Sequence, residues 1–205
     1  EGVRELRRAA RSGGVDRAGR LVFGRLDGRL LSEVLRAHDL RPDDVYRIRQ
    51  AIERKELSVH YQPIVLLATS MCVGFEALVR WNRNGKPVSP ADFIPIAENA
   101  GLLPSLGEWV LSRAMEESRH WPHLEVSLNL SPVQFRHVDL ETTLRTLVAQ
   151  YDVDPSRFVL EITEGVLLEA TDHTNAILEA LHSIGFRIAL DDFGTGYSSL
   201  AYLCN

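Results

Sequence analysis

Apolar residues along this chain follow one pattern before about residue 82 and a different one after residue 125. Two β-like runs, 57–67 and 71–81, are separated only by Ala68-Thr69-Ser70. So short a connection forces a hairpin and antiparallel pairing, because parallel neighbours need a long crossover. From residue 125 the pattern becomes periodic: strand 125–130, helix 140–151, strand 158–162, helix 175–183, strand 187–190. Strands alternating with helices predict βα units and a parallel sheet. The strand ends at 129, 161 and 191 lie 32 and 30 residues apart, about one βα unit each.

Before and between these regions the helix signals are specific. Pro42-Asp43-Asp44 opens a helix through about Lys55, with acids in the first turn where the helix dipole favours them. Gly85-Lys86-Pro87 reads as a break. Ser89-Pro90 is an N-cap followed by proline at the first helical position, and that helix should end near Asn99 with Gly101 as its stop. Pro104 starts a longer amphipathic helix carrying Trp109, Val110, Leu111 and Met115, which ends before Pro122. Residues 1–42, rich in arginine and glycine, are expected to be a linker or the tail of an upstream domain. Arg7, Arg8 and Arg11 there fit one solvated helical face, and Leu21-Val22-Phe23 a short strand. Residues 43–205 form the main domain.

Side chains alternate faces along a strand, so each face can be read from the letters. Phe75, Ala77, Val79 and Trp81 share one face, with Glu76, Leu78 and Arg80 on the other. Ser127 and Asn129 oppose Val126, Leu128 and Leu130; Glu161 opposes Phe158, Leu160 and Ile162; Asp191 opposes Ile188 and Leu190. If the apolar rows pack outward on helices, Glu76, Asn129, Glu161 and Asp191 converge inside a barrel. Three of the four sit at or near the C-terminal ends of their strands, where parallel α/β barrels keep their active sites.

Composition narrows the chemistry. With 45% hydrophobic and 25% charged residues, the 205-residue chain has the profile of a soluble globular protein of one main domain plus an appendage. A net charge of −5 argues against a nucleic-acid polymer as partner, whose footprint is a basic patch. Cys72 and Cys204, the only cysteines, make neither a CxxC pair nor a disulfide framework, which points to a reducing, cytoplasmic compartment. No apolar run approaches the ~18 residues of a membrane span, and the N-terminus has no signal core. Asp191 and Asp192 are adjacent carboxylates at a strand end, followed by a turn bracketed by Gly194 and Gly196. Neighbouring acids repel and are costly to desolvate, so such a pair calls for a cation. Hard oxygen donors select Mg²⁺, Mn²⁺ or Ca²⁺.

The strings that carry these residues resemble the signatures of the EAL domains, bacterial phosphodiesterases of cyclic di-GMP. They are Tyr61-Gln62-Pro63-Ile64, Phe75-Glu76-Ala77-Leu78-Val79-Arg80-Trp81, Phe93-Ile94-Pro95-Ile96-Ala97-Glu98, Asn129-Leu130-Ser131, Glu161-Ile162-Thr163-Glu164 and the stretch from Asp191 to Ser199. In the family's order they cover about residues 45 to 205. The resemblance implies an α/β fold, a modified TIM barrel whose first strand is antiparallel to the rest. It implies that Glu76, Asn129, Glu161 and Asp191 are metal ligands, with Asp192 serving a second Mg²⁺ or Mn²⁺. Gln62 and Arg80 resemble substrate contacts, Arg80 toward a phosphate, and Glu164 a residue that braces the loop after Asp192. The implied reaction is hydrolysis of one phosphodiester of cyclic di-GMP to linear pGpG, at two metals about 3.5–4 Å apart. The alternative is a module that binds cyclic di-GMP without hydrolysis and signals through a partner or a homodimer.

Other motifs carry less. Asp192-Phe193-Gly194 matches a kinase triplet, but no glycine-rich nucleotide loop or His-Arg-Asp loop accompanies it. His120 and His123 flank Trp121-Pro122 near a helix end and read as packing and solvent-exposed residues rather than zinc ligands, and His60, His137, His173 and His182 fit no ligand spacing. About five of a barrel's eight strands are countable, and the strands that in the family carry a catalytic lysine and a further metal-site glutamate do not occur in these 205 residues. The chain also starts without Met and stops just after a helix start. It is therefore expected to be the N-terminal portion of the domain within a longer protein, inactive and weakly stable when isolated. A GGDEF or sensor domain upstream is the neighbour that the family suggests.

Overall fold

The computed structural model describes residues 14–15, 21–22, 42–54, 56–135, 139–163, 166 and 171–191. Strands β1 (Gly14–Val15) and β2 (Leu21–Val22) pair antiparallel with each other, apart from the main sheet. Then follow α1 (Pro42–Glu53), β3 (Leu57–Leu66), β4 (Met71–Arg83), β5 (Lys86–Val88), α2 (Pro90–Asn99), α3 (Leu103–Ser118) and β6 (Glu125–Leu130). The short α4 (Pro132–Phe135), α5 (Leu140–Tyr151), a 3-10 turn (Pro155–Arg157), β7 (Phe158–Thr163), α6 (Asp172–Ile184) and β8 (Arg187–Asp191) complete the described chain.

The main sheet runs β3-β4-β6-β7-β8, with β5 also paired to β4. β3 is antiparallel to β4, while β4, β6, β7 and β8 are mutually parallel. This is the incomplete α/β barrel with an antiparallel first strand. The sixth strand, β5, stands where a break is expected at Gly85-Lys86-Pro87. Asn84 and Gly85 have φ of 51° and 78°, both positive, which is the two-residue hairpin turn that Asn-Gly favours.

The alternation of faces explains the layers. Val126, Leu128, Leu130, Phe158, Leu160 and Ile162 are buried in one cluster with Leu111, Ala114 and Met115 of α3, Leu144 and Leu147 of α5, and Ile177 and Leu181 of α6. The helices thus cover the apolar rows and leave the alternate positions on the opposite face. A second cluster joins Ile48 and Ala51 of α1 to Trp81, Phe93, Ala97, Leu102, Leu103 and Leu106. Helix α2 ends in a Schellman turn, in which Leu102 N–H donates to Ala97 C=O at 2.8 Å and Gly101 supplies φ of 68°.

Two close contacts fix the strands. Gly74 lies in register with Glu125, and a Cβ there would stand 2.8 Å from the Glu125 carbonyl oxygen, so only glycine lets β4 approach β6 this closely. Arg157 spans the far end of the sheet. One guanidinium nitrogen donates to the carbonyls of Trp121 (2.6 Å), Leu124 (3.0 Å) and Ser118 (3.2 Å), and Nε donates to Leu124 at 3.2 Å. It holds the α3 to β6 connection, whose carbonyls have left the helix ladder. On the polar face, at the N-terminal ends of the strands, Arg187 pairs with Glu125. At the outer turn of the β3–β4 hairpin, Ile64, Val65, Leu66, Leu67, Met71 and Val73 are exposed. Among the described residues, no helix is long and apolar enough to cross a membrane.

Candidate functional site

The polar face gathers its oxygen atoms through strand register. Glu76 lies within β4, with Gln62 of β3 opposite on one side and Ser127 of β6 on the other. Two residues along β6, Asn129 is paired with Glu161 of β7. Glu161 in turn faces Ala189 of β8, and Asp191 stands two positions further on, opposite Thr163. Because all four strands are spaced by hydrogen bonding at about 4.8 Å, these register relations place the side chains in adjacent columns.

Side-chain contacts tie the columns together. Asn129 Nδ2 donates to Glu76 Oε1 at 2.9 Å. The Glu161 carboxyl is held above its ordinary value of 4.5 by burial first of all; the charges of Glu76 and Asp191 add to the rise, and the nearby Ser127 hydroxyl opposes it. Glu161 therefore feels both neighbouring acids at once. Arg80 follows Glu76 on the same face, roughly 13 Å along the strand. It is half-buried, and its guanidinium donates to the Val79 carbonyl at 2.9 Å. Gln62, Asn129 and Asp191 are exposed. The structure thus brings Glu76, Asn129 and Glu161 together, sets Asp191 within electrostatic reach and Gln62 beside Glu76, and leaves Arg80 further up the strand. Glu164 and Asp192 lie outside the described residues. Among the described residues, no three His, Cys, Asp or Glu side chains are close enough to hold a metal ion.

Ser127 is a site residue that the strand pattern placed without assigning it a part. It is 4% exposed and on the face of Asn129, which is the signal that would have found it.

The raised Glu161 carboxyl has a measurable consequence. Its stabilising contribution is complete below the ordinary carboxylate value and is lost as pH rises through the higher folded value. In metal-free protein, Glu161→Gln should therefore raise the melting temperature near pH 7 while changing it little near pH 4. Thermal melts across that range check this; an equal shift at both ends would refute it.

A family model described as "EAL domain" matches residues 46–205. The chain belongs to the EAL domain family. The EAL domain here is 41% identical over 166 residues to the bifunctional diguanylate cyclase/cyclic di-GMP phosphodiesterase MucR of Pseudomonas aeruginosa, covering 78% of this chain and 24% of that protein. It is 37% identical over 189 residues to the probable cyclic di-GMP phosphodiesterase PdeB of Escherichia coli, covering 89% of this chain and 36% of that protein. The chain thus spans about a quarter to a third of these relatives. Among solved structures, the PaMucR phosphodiesterase in complex with c-di-GMP matches this EAL domain with a TM-score of 0.74 at 40% identity, over 78% of this chain and 68% of that one. The EAL enzyme Bd1971, bound to cAMP and cyclic di-GMP, matches with a TM-score of 0.73 at 31% identity, over 84% and 48%.

Proposed function

We propose that this EAL domain, within its full-length protein, hydrolyses one phosphodiester of cyclic di-GMP to linear pGpG with the aid of Mg²⁺ or Mn²⁺. The observation that carries this reading is the meeting of Glu76, Asn129 and Glu161 from three adjacent parallel strands, with Asp191 of a fourth acting on Glu161. The 41% and 37% identical relatives named as cyclic di-GMP phosphodiesterases supply the substrate class.

The donor set suits a hard divalent cation. Its atoms are carboxylate and amide oxygens, and the upward push of Glu76 and Asp191 on Glu161 is accumulated negative charge that such an ion relieves. Glu76, Asn129, Glu161 and Asp191 would hold it, with Asp192 at a second ion. When bound, the ions supply Lewis-acid polarisation of the phosphoryl group and a lowered water pKa. The protein's own part is positional. Ser127 and Asn129 orient the Glu161 and Glu76 carboxylates, Gln62 and Arg80 contact the substrate, with the Arg80 guanidinium toward a phosphate, and Glu164 braces the loop after Asp192. Residues 1–42 act as the link to an upstream GGDEF or sensor domain, and the domain works in the cytoplasm, alone or as a homodimer.

The test is chromatographic separation of pGpG from cyclic di-GMP after incubation with the full-length protein, with and without Mn²⁺. Cation-dependent appearance of pGpG supports the reading. Saturable binding of cyclic di-GMP with no turnover at any cation concentration would overturn it in favour of a non-catalytic binding module.

A further inference from the structure

We propose that Gln134 is a positioning residue for the Asn129–Glu76 pair and acts through the backbone of Ser131. Its link to cation binding rests on the function proposed above; its effect on Asn129 does not.

The argument starts from exposure. Asn129 is exposed, so water competes for the amide that it offers to Glu76, and burial does not hold the side chain in place. What fixes it must be the backbone on either side. Upstream that is β6; downstream it is the turn that begins at Ser131, directly after the strand's last residue. Ser131-Pro132-Val133-Gln134 has the spacing of a capping box, in which a Gln or Glu side chain three residues on returns to the cap residue's N–H.

Half of that box is made. Ser131 N–H donates to Gln134 Oε1 at 3.0 Å, and Gln134 N–H donates to the Ser131 carbonyl at 3.0 Å, closing a ring. The Ser131 hydroxyl is buried with no partner, so of the two side-chain bonds of a capping box only the one from Gln134 to the Ser131 N–H is formed. Gln134 is itself locked. It is 6% exposed, and its amide end lies over Gly107 of α3, where a Cβ would stand 2.1 Å from Nε2. On either side Val133 packs against one hydrophobic cluster and Phe135 is buried in the other. A rigid path therefore runs from α3 through Gln134 and Ser131 to the residue that orients Glu76.

Gln134→Met keeps the size and removes the acceptor, whereas Gln134→Glu keeps an acceptor oxygen. The first readout is the Asn129 side-chain amide by nuclear magnetic resonance in the metal-free full-length protein. The signature of its bond to Glu76 should be lost in the Met variant and retained in the Glu variant. The second is Mn²⁺ titration, where the Met variant should bind about tenfold more weakly, as expected when a partner that orients a ligand is removed. An Asn129 signal unchanged in Gln134→Met, or abolished equally in both variants, would overturn the proposal. If the Met variant does not fold, hydrogen exchange of the wild-type Ser131 amide decides. Protection comparable to that of neighbouring β6 amides supports the proposal, and exchange at the rate of an open loop overturns it. A wild-type chain that binds no Mn²⁺ would count against the proposed function while leaving the Asn129 readout to judge Gln134.

Discussion

Glu76→Ala in the full-length protein is expected to lower turnover of cyclic di-GMP at least about 100-fold, because even partners that merely orient metal ligands cost about 10- to 100-fold when lost. The substitution removes one oxygen donor and leaves Asn129 without the acceptor 2.9 Å from its amide. It also removes one of the two charges that push the Glu161 carboxyl upward. Activity and stability should therefore move in opposite directions: the metal-free protein should melt no lower than wild type, since a like-charge contact has been relieved. Product chromatography paired with thermal melts measures both. Turnover within about tenfold of wild type would remove Glu76 from the reaction.

Arg157→Leu should destabilise the chain by about 3 kcal/mol, with little change in the denaturant slope, because hydrogen bonds to charged groups are worth about 1.5–3 kcal/mol each and do not add. One guanidinium serves the carbonyls of Ser118, the last residue of α3, and of Trp121 and Leu124 in the segment that joins α3 to β6. Removing it unties these three carbonyls from the 3-10 turn before β7, leaving Ser118 and Trp121 only their local backbone donors, the Trp121 and Leu124 N–H groups. Arg157→Lys should recover only part of the loss, since a single ammonium lacks the planar fork that reaches several carbonyls. Urea titration of the three proteins checks the order; a lysine variant as stable as wild type would show that charge alone suffices.

The parts of this fold that were legible in the letters are those governed by period and punctuation. The hairpin followed from three residues between two β-like runs, the parallel order from alternating strands and helices, and the common face of Glu76, Asn129 and Glu161 from the two-residue period of a strand. Two further features are written in local signals. Asn84-Gly85 is a strong hairpin dipeptide, so β5 was there to be read beside the apparent break at Pro87. The Ser-x-x-Gln spacing at 131–134 marked α4 and the bond from the Ser131 N–H to Gln134. Contacts across the sheet were beyond reach. Arg157 meets carbonyls 33 to 39 residues earlier, and Ser127 meets Glu161 only because β6 and β7 settle into one register out of several that the apolar rows allow. The expected contributions of Asp192 and Glu164 fall outside the described residues.

The two faces of each strand answer to different demands. Val126, Leu128 and Leu130 are tied to the helices behind them, while Ser127 and Asn129, one step away on the same strand, lie on the opposite face with Glu161 and Glu76. A substitution in the second row leaves the first undisturbed. Such a scaffold can lose the side chains of its polar row one at a time and still keep its shape.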